Sequence, residues 1–198
     1  GFLIGIHETG HFLIAKLCKV RVNEFAIGFG PVIWKKQGKE TKYELRLIPL
    51  GGFVNMEGEA EQSEKEGSFT KASIPRRIAI VVAGALVNII FAIMVYFILA
   101  MTVRGNITNA VVGNRVLDAD DFGNRLYFAS YNTKEFMLSI AESVKQLFTG
   151  KVSSAELVGP VGISEVVAKT NGFREFIYIL AAISISLGVT NLLPFPPL

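Results

Sequence analysis

Residues 78–103 read IAIVVAGALVNIIFAIMVYFILAMTV without a single charge, and this stretch decides the fold. A helix needs about 20 apolar residues to cross roughly 30 Å of hydrocarbon. The alternative is a buried core helix of a soluble domain, but such helices rarely stay uncharged over this length. Working outward, residues 176–193, FIYILAAISISLGVTNLL, form a shorter candidate span carrying Ser184, Ser186, Thr190 and Asn191. A third, residues 1–17, GFLIGIHETGHFLIAKL, is short for a full span. It lacks the basic lead-in and small-residue cleavage site of a signal peptide, and the chain is expected to begin inside a helix. The expected fold is an α-helical integral membrane protein with three or more transmembrane helices.

Composition agrees with that reading. Of 198 residues, 51% are hydrophobic and only 19% charged, against about a quarter charged in soluble domains. The net charge of +3 is mild, but its placement is informative. Lys16, Lys19, Arg21, Lys35, Lys36, Lys39, Lys42, Arg46, Lys65, Lys71, Arg76 and Arg77 all lie between the first two apolar blocks. The positive-inside rule puts this segment in the cytoplasm. Interleaved Glu40, Glu44, Glu57, Glu59, Glu61, Glu64 and Glu66 argue against nucleic acid as a partner. The single cysteine, Cys18, excludes an internal disulfide and reads as a buried or membrane-edge thiol.

The chain has two histidines, His7 and His11, with Glu8 between them in HETGH. Helical positions i and i+4 share a face, so both imidazoles can reach one metal ion. Zinc lowers the pKa of a water it binds toward about 7, and a nearby carboxylate can take the proton released. This is the equipment of metal-assisted peptide hydrolysis: His7 and His11 as Zn2+ ligands, Glu8 as general base and then proton donor. A chance HExxH on an ordinary helix is the competing explanation. FLIGI before the motif and FLIAKL after it place ionisable groups in apolar surroundings, where they are costly and usually functional. A catalytic zinc site usually has three protein ligands, and residues 1–198 offer no obvious third one within an apolar block.

Five blocks in order resemble the site-2 protease family of intramembrane zinc metalloproteases, in its bacterial, regulator-of-sigma-E-protease-like branch. HETGHFLIAK (7–16) is similar to the family's HExxH helix. EFAIGFGPVIW (24–34) and YELRLIPLGGFVNMEGE (43–59) resemble its membrane-associated β-hairpin and following loop. GSFTKASIPRRIAIVVAGALVNIIFAI (67–93) resembles the start of its next core helix, and LVGPVGI (157–163) with SISLGVTNLLPFPPL (184–198) its last core region. The resemblance implies a single protease core over 1–198. Its parts are the HExxH helix (1–18), a cytoplasmic-side hairpin and loop (22–60), a transmembrane helix (78–103), an extracytoplasmic segment (104–172) and a last core helix (173–198). In the family, NxxPxPxxDG carries the third zinc ligand. This sequence reads NLLPFPPL from Asn191, so an aspartate is expected just beyond Leu198. The family's common PDZ domain is not expected within 104–132, which is too short for one, and Ala85 stands where many relatives have proline.

Individual residues carry finer expectations. Tyr43, Leu45 and Leu47 alternate with Glu44 and Arg46, so Phe25–Ile48 reads as a hairpin or small sheet turning near Gly38. Such an edge could hold an extended substrate by strand addition; a merely solvated hairpin is the alternative. Gly51 and Gly52 allow close backbone approach and are candidate substrate-binding positions, although loop flexibility would also explain them. By resemblance, Asn191 and Pro194 help hold the substrate backbone, with an interhelical hydrogen bond as the other reading of Asn191. Asn88 reads as helix–helix glue. Residues 133–149 form an amphipathic helix, read as an interfacial anchor, with a substrate gate as the alternative. The implied partners are a transmembrane protein substrate, such as an anti-sigma factor or a signal-peptide remnant, and membrane lipids, in a bacterial cytoplasmic membrane. Two rivals stand beside the protease: a catalytically silent membrane scaffold and a membrane metal transporter, for which no second polar cluster is seen.

Overall fold

The computed structural model describes residues 1–61, 63–103, 106–112, 115–149 and 172–192. Helix dominates, with two small antiparallel strand pairs. The elements divide into two compact units, Gly1–Ile89 with Ser186–Leu198, and Ile90–Ile185.

The first unit opens with α1, Phe2–Leu17. Lys16 lies in its last turn, where a cation complements the carbonyl end of the helix. The chain leaves the helix at Lys19, in the left-handed region with φ of 61°, and the Val20 amide donates back to the Ala15 carbonyl at 2.8 Å. Two long strands follow, β1 (Val22–Gln37) and β2 (Lys42–Met56), paired antiparallel. Both bend, at Gly28–Pro31 and near Pro49, and their pairing is compound. Residues 32–37 pair with 42–46, from Val32↔Arg46 to Gln37↔Lys42, and residues 22–27 pair with 52–56, from Val22↔Met56 to Ile27↔Gly52. Residues 24–27 also meet 42–45, from Glu24↔Lys42 to Ile27↔Leu45. The stretches therefore lie side by side in the order 32–37, 42–48, 22–29, 52–56. The hairpin extends beyond Phe25–Ile48 at both ends, because Gly28, Gly30 and Gly51 all take positive φ and let the strands turn without stopping.

One face of this sheet docks on α1 through Phe12, whose ring lies 5.1 Å from that of Phe25 and 5.9 Å from that of Tyr43. Ala15, Val20, Val22, Met56 and Ile80 close a small core beside it. Charge is clamped within the sheet. Glu44 is buried between Lys42 and Arg46, and Arg46 also reaches Glu24 at 3.3 Å and lies over the Phe53 ring. The Lys42 hydrogen bond, with help from Arg46, holds the Glu44 carboxyl down at about 2. The bent ends of the sheet are apolar and exposed, including Phe29, Ile33, Trp34, Leu47 and Leu50.

Helix α2, Ile74–Met101, starts before the uncharged block because Pro75 suits a first helical turn and the Arg77 amide finds the Ser73 carbonyl at 3.0 Å. Its 28 residues measure about 42 Å at 1.5 Å per residue, more than the hydrocarbon thickness. Its surface is inverted relative to a soluble helix. Ala83, Ala85, Asn88 and Ala92 are buried, while Ile78, Val81, Ile90, Met94 and Ile98 are exposed. Small and polar residues inside with large apolar ones outside is how helices pack in lipid.

In the second unit, β3 (Asn106–Val112) and β4 (Arg115–Asp118) form a short antiparallel pair. Helix α3 spans Phe122–Phe148. It begins upstream of the amphipathic stretch 133–149 because the Asp121 side chain accepts the Asn124 amide at 2.9 Å, a side-chain cap on the first turn. Phe136 of α3 stacks flat on Tyr96 of α2 with 4.1 Å between centroids. Phe128 and Ala129 close a cluster with Ala100 and Ala119. The last helix, α4, runs Phe173–Leu192. Among the described residues, two helices, α2 and α4, are long and apolar enough to cross a membrane. The segments 157–163 and 193–198 singled out in the sequence lie outside the described residues.

Candidate zinc site

Helices α1 and α2 cross at two glycines. A side-chain carbon on Gly10 would sit 2.7 Å from the Ala83 carbonyl oxygen and 2.9 Å from the Gly84 Cα, so the backbones approach as only glycine permits. On the α1 side of this crossing, the i, i+4 spacing brings His7 and His11 together with 3.1 Å between their Nε2 atoms. On the α2 side, a carbon added at Gly84 would lie 2.5 Å from His11 Nε2 and 2.8 Å from His7 Nε2. Gly84 thus lets both imidazoles pack directly against the α2 backbone, which floors a cradle rimmed by the two rings.

The ring orientation suits a metal. His11 Nδ1–H donates to the Ile80 carbonyl oxygen at 2.8 Å, which leaves Nε2 as a lone-pair donor. Tetrahedral zinc with bonds of about 2.0–2.1 Å puts its ligand nitrogens roughly 3.3 Å apart. The observed 3.1 Å is close to that separation. The residues fit the ion on the separation of the two nitrogens and on donor type. Among the described residues, no third His, Cys, Asp or Glu joins the pair.

Glu8 faces the sheet. Its Cγ lies 3.2 Å from where a Cβ would stand on Gly52, so the glycine lets the 52–56 strand run beside the carboxylate. Gly51 takes φ of +93° with the Phe29 ring filling its side-chain space. Gly51 and Gly52 therefore have distinct jobs, a turn and a close approach. Among the described residues, the 52–56 strand pairs only with 22–27, and its other edge carries no strand. Asn191 lies in the last turn of α4 and is exposed, and no contact brings it to His7. A side chain at Gly188, one turn earlier, would meet the Ala85 carbonyl oxygen at 2.8 Å, so this end of α4 packs against the α2 segment that floors the cradle. Pro194 is outside the described residues.

Two contributors escaped the sequence reading, the Ile80 carbonyl and Gly84, while Asn88, read there as helix–helix glue, does reach α1, its amide facing His7 Nδ1 at 3.4 Å. Their signal was available. Positions 80, 84 and 88 share one helix face at i, i+4 and i+8, in register with the i, i+4 histidines.

The profile of peptidase family M50 matches residues 1–198. The chain belongs to peptidase family M50. A protein of Clostridium acetobutylicum, provisionally named a zinc metalloprotease, is 30% identical over 274 aligned residues that cover 100% of this chain and 81% of the relative. A similarly named protein of Fusobacterium nucleatum is 29% identical, covering 100% of this chain and 82% of its own. The regulator of sigma-E protease RseP of Escherichia coli is 43% identical over 103 residues, 50% of this chain and 23% of the relative. M50 membership makes the chain a metalloendopeptidase that cuts membrane-protein substrates within the membrane, with zinc as its metal. The bacterial relatives and two apolar helices support a bacterial inner-membrane protein.

The cradle makes a direct prediction. Gly84→Ala should weaken zinc binding and proteolysis by about 100-fold or more, since small displacements of reacting groups cost that much. Alanine favours a helix over glycine by about 1 kcal/mol, but a Cβ this close to both imidazoles must also push α1 and α2 apart, so the unfolding temperature should fall as well. Zinc titration and thermal unfolding of the purified variant measure the two separately. Wild-type zinc affinity in this variant would contradict the cradle.

Proposed function

We propose that His7 and His11 hold the zinc ion of this protease and that Glu8 moves its protons. The observation that carries the reading is the convergence of the two Nε2 atoms at 3.1 Å, with Glu8 lying against the 52–56 strand at Gly52. Zinc, when held there, supplies Lewis acidity to a substrate carbonyl and to a water molecule. Glu8 accepts the proton of the attacking water and passes it to the leaving amine, as general base and then general acid.

A helical peptide hides its carbonyls in its own hydrogen bonds, so a transmembrane substrate must be extended before it can be cut. The free edge of 52–56 supplies amides and carbonyls for an added strand. Gly52 keeps that strand within reach of Glu8, and Gly51 sets the turn into it. In this reading Asn191 and Pro194 help hold the substrate backbone, and an aspartate beyond Leu198 completes the ligand set. Substrates of the anti-sigma-factor or signal-peptide-remnant type fit this use, and lipids surround the helices.

Helix α1 is the third span in this reading. Its 16 residues measure about 24 Å, short of roughly 30 Å. Lys16 and Lys19 can bridge the difference by extending to the interface.

Two experiments test this. Glu8→Gln in the full-length protein should reduce cleavage of a tagged single-span substrate by about 100-fold or more, with zinc retained, and a chelator should stop the wild type. Cleavage surviving Glu8→Gln would overturn the proton role. In a Cys18→Ser background, Phe2→Cys and Lys19→Cys should react with an impermeant thiol reagent from opposite sides of the membrane. Labelling from the same side would exclude α1 as a span.

A further inference from the structure

Helix α1 runs antiparallel to α2, with His7 beside Asn88 and His11 beside Ile80, so its end at Leu17 lies by the start of α2. Three chain segments meet at that end around a cavity of about 390 Å3, lined by Lys16, Lys19, Arg21, Glu40, Glu66 and Gly67. The segments are tied together. The Arg21 amide donates to the Gly67 carbonyl oxygen at 2.8 Å, and Lys16 pairs with Glu40 of the β1–β2 turn at 3.1 Å. Gly67 takes φ of +80°, and a side chain there would stand 3.3 Å from the Lys19 carbonyl oxygen. The loop therefore closes directly on the exit of α1.

Glu40 is committed to Lys16, which leaves Lys19, Arg21 and Glu66 to meet a ligand. Among the described residues, Lys19 and Glu66 make no side-chain hydrogen bond or ion pair, and Arg21 holds only a long contact to Glu40 at 3.9 Å. Beside the cavity, Leu13 and Leu17 share one face of α1 and are 51% and 77% exposed. Two cations and a carboxylate at the end of an apolar stripe match one class of molecule. We propose that the cavity holds the headgroup of an aminophospholipid, with its phosphate on Lys19 and Arg21, its primary ammonium on Glu66 and its acyl chains along Leu13 and Leu17. Basic pockets beside membrane helices are where headgroups are taken up, and the arginine fork suits phosphate oxygens. The carboxylate decides between headgroups. A glycerol headgroup offers Glu66 no cation. A choline ammonium has no N–H to donate and is held by aromatic faces instead, and no aromatic ring lines this cavity among the described residues. A primary ammonium brings three N–H donors. The inference rests on α1 being a span, as proposed above.

The test is binding of dihexanoyl phosphatidylethanolamine, phosphatidylglycerol and phosphatidylcholine to the full-length protein in a sugar-headgroup detergent. Native mass spectrometry reads the binding, with thermal unfolding alongside. The ethanolamine lipid should bind about tenfold more tightly than the other two, the gain expected of one charge-assisted hydrogen bond. Glu66→Gln should erase that preference, and Arg21→Gln should weaken all three lipids by about tenfold. Both side chains are exposed, so the lipid-free variants should unfold at the wild-type temperature; should either fail to fold, the ranking of the three lipids on the wild type decides. Equal binding of the three, or a preference that survives Glu66→Gln, would overturn the proposal. Glycerophosphoethanolamine, the headgroup without its chains, separates a lipid from a soluble phosphate. It should bind at least about tenfold more weakly than the lipid, since it buries nothing on Leu13 and Leu17, and equal affinity would overturn the lipid as occupant. The thiol-labelling experiment separates this inference from the reading beneath it. With α1 confirmed as a span, a missing preference removes the headgroup site alone. With α1 excluded as a span, the lipid falls as occupant whatever the headgroup ranking.

Discussion

Everything at the site depends on how closely α1 and α2 approach at Gly10 and Gly84. Two imidazoles one helical turn apart are common on amphipathic helices. What sets this pair apart is a neighbouring helix with no side chain where the imidazoles pack and a backbone carbonyl that accepts from His11, and in the proposed reading this makes the pair a metal cradle. In lipid there is little hydrophobic drive to bring helices together, so contact relies on small residues and on hydrogen bonds between helices. The α1–α2 crossing uses both, and the hydrogen bonds it buries are those that orient the histidines. Packing and ligand geometry are one set of contacts.

The sheet solves the other half of the problem. A protease that works among transmembrane helices needs an extended template near its general base. The bent β1–β2 pair brings its 52–56 strand beside Glu8 at Gly52 and docks on the same helix through Phe12, Phe25 and Tyr43. Its charges are gathered around Glu44 and Arg46, while its bent ends expose Phe29, Trp34 and Leu50.

Much of this was legible in the chain itself. The uncharged run 78–103 announces α2 because a membrane imposes a length and forbids charge, and both constraints show directly in sequence. HETGH announces the histidine pair because helical spacing is fixed. The alternation at Tyr43–Leu47 announces strand. The strand ends were less legible, since glycines at 28, 30 and 51 could equally end a strand or bend it, and only the pairing partners distinguish the two. The start of α3 at Phe122 turned on one aspartate cap. Asn88, read as helix–helix glue, does face α1, but its partner His7 lies 81 positions away in sequence, and no local pattern names which residue it meets.

The most direct measurement is X-ray absorption at the zinc edge of the full-length protein purified with its metal. The account predicts two imidazole nitrogens at about 2.0–2.1 Å with oxygen donors completing the shell. A sulfur scatterer at about 2.3 Å, bringing in Cys18, or a shell without imidazole, would contradict it.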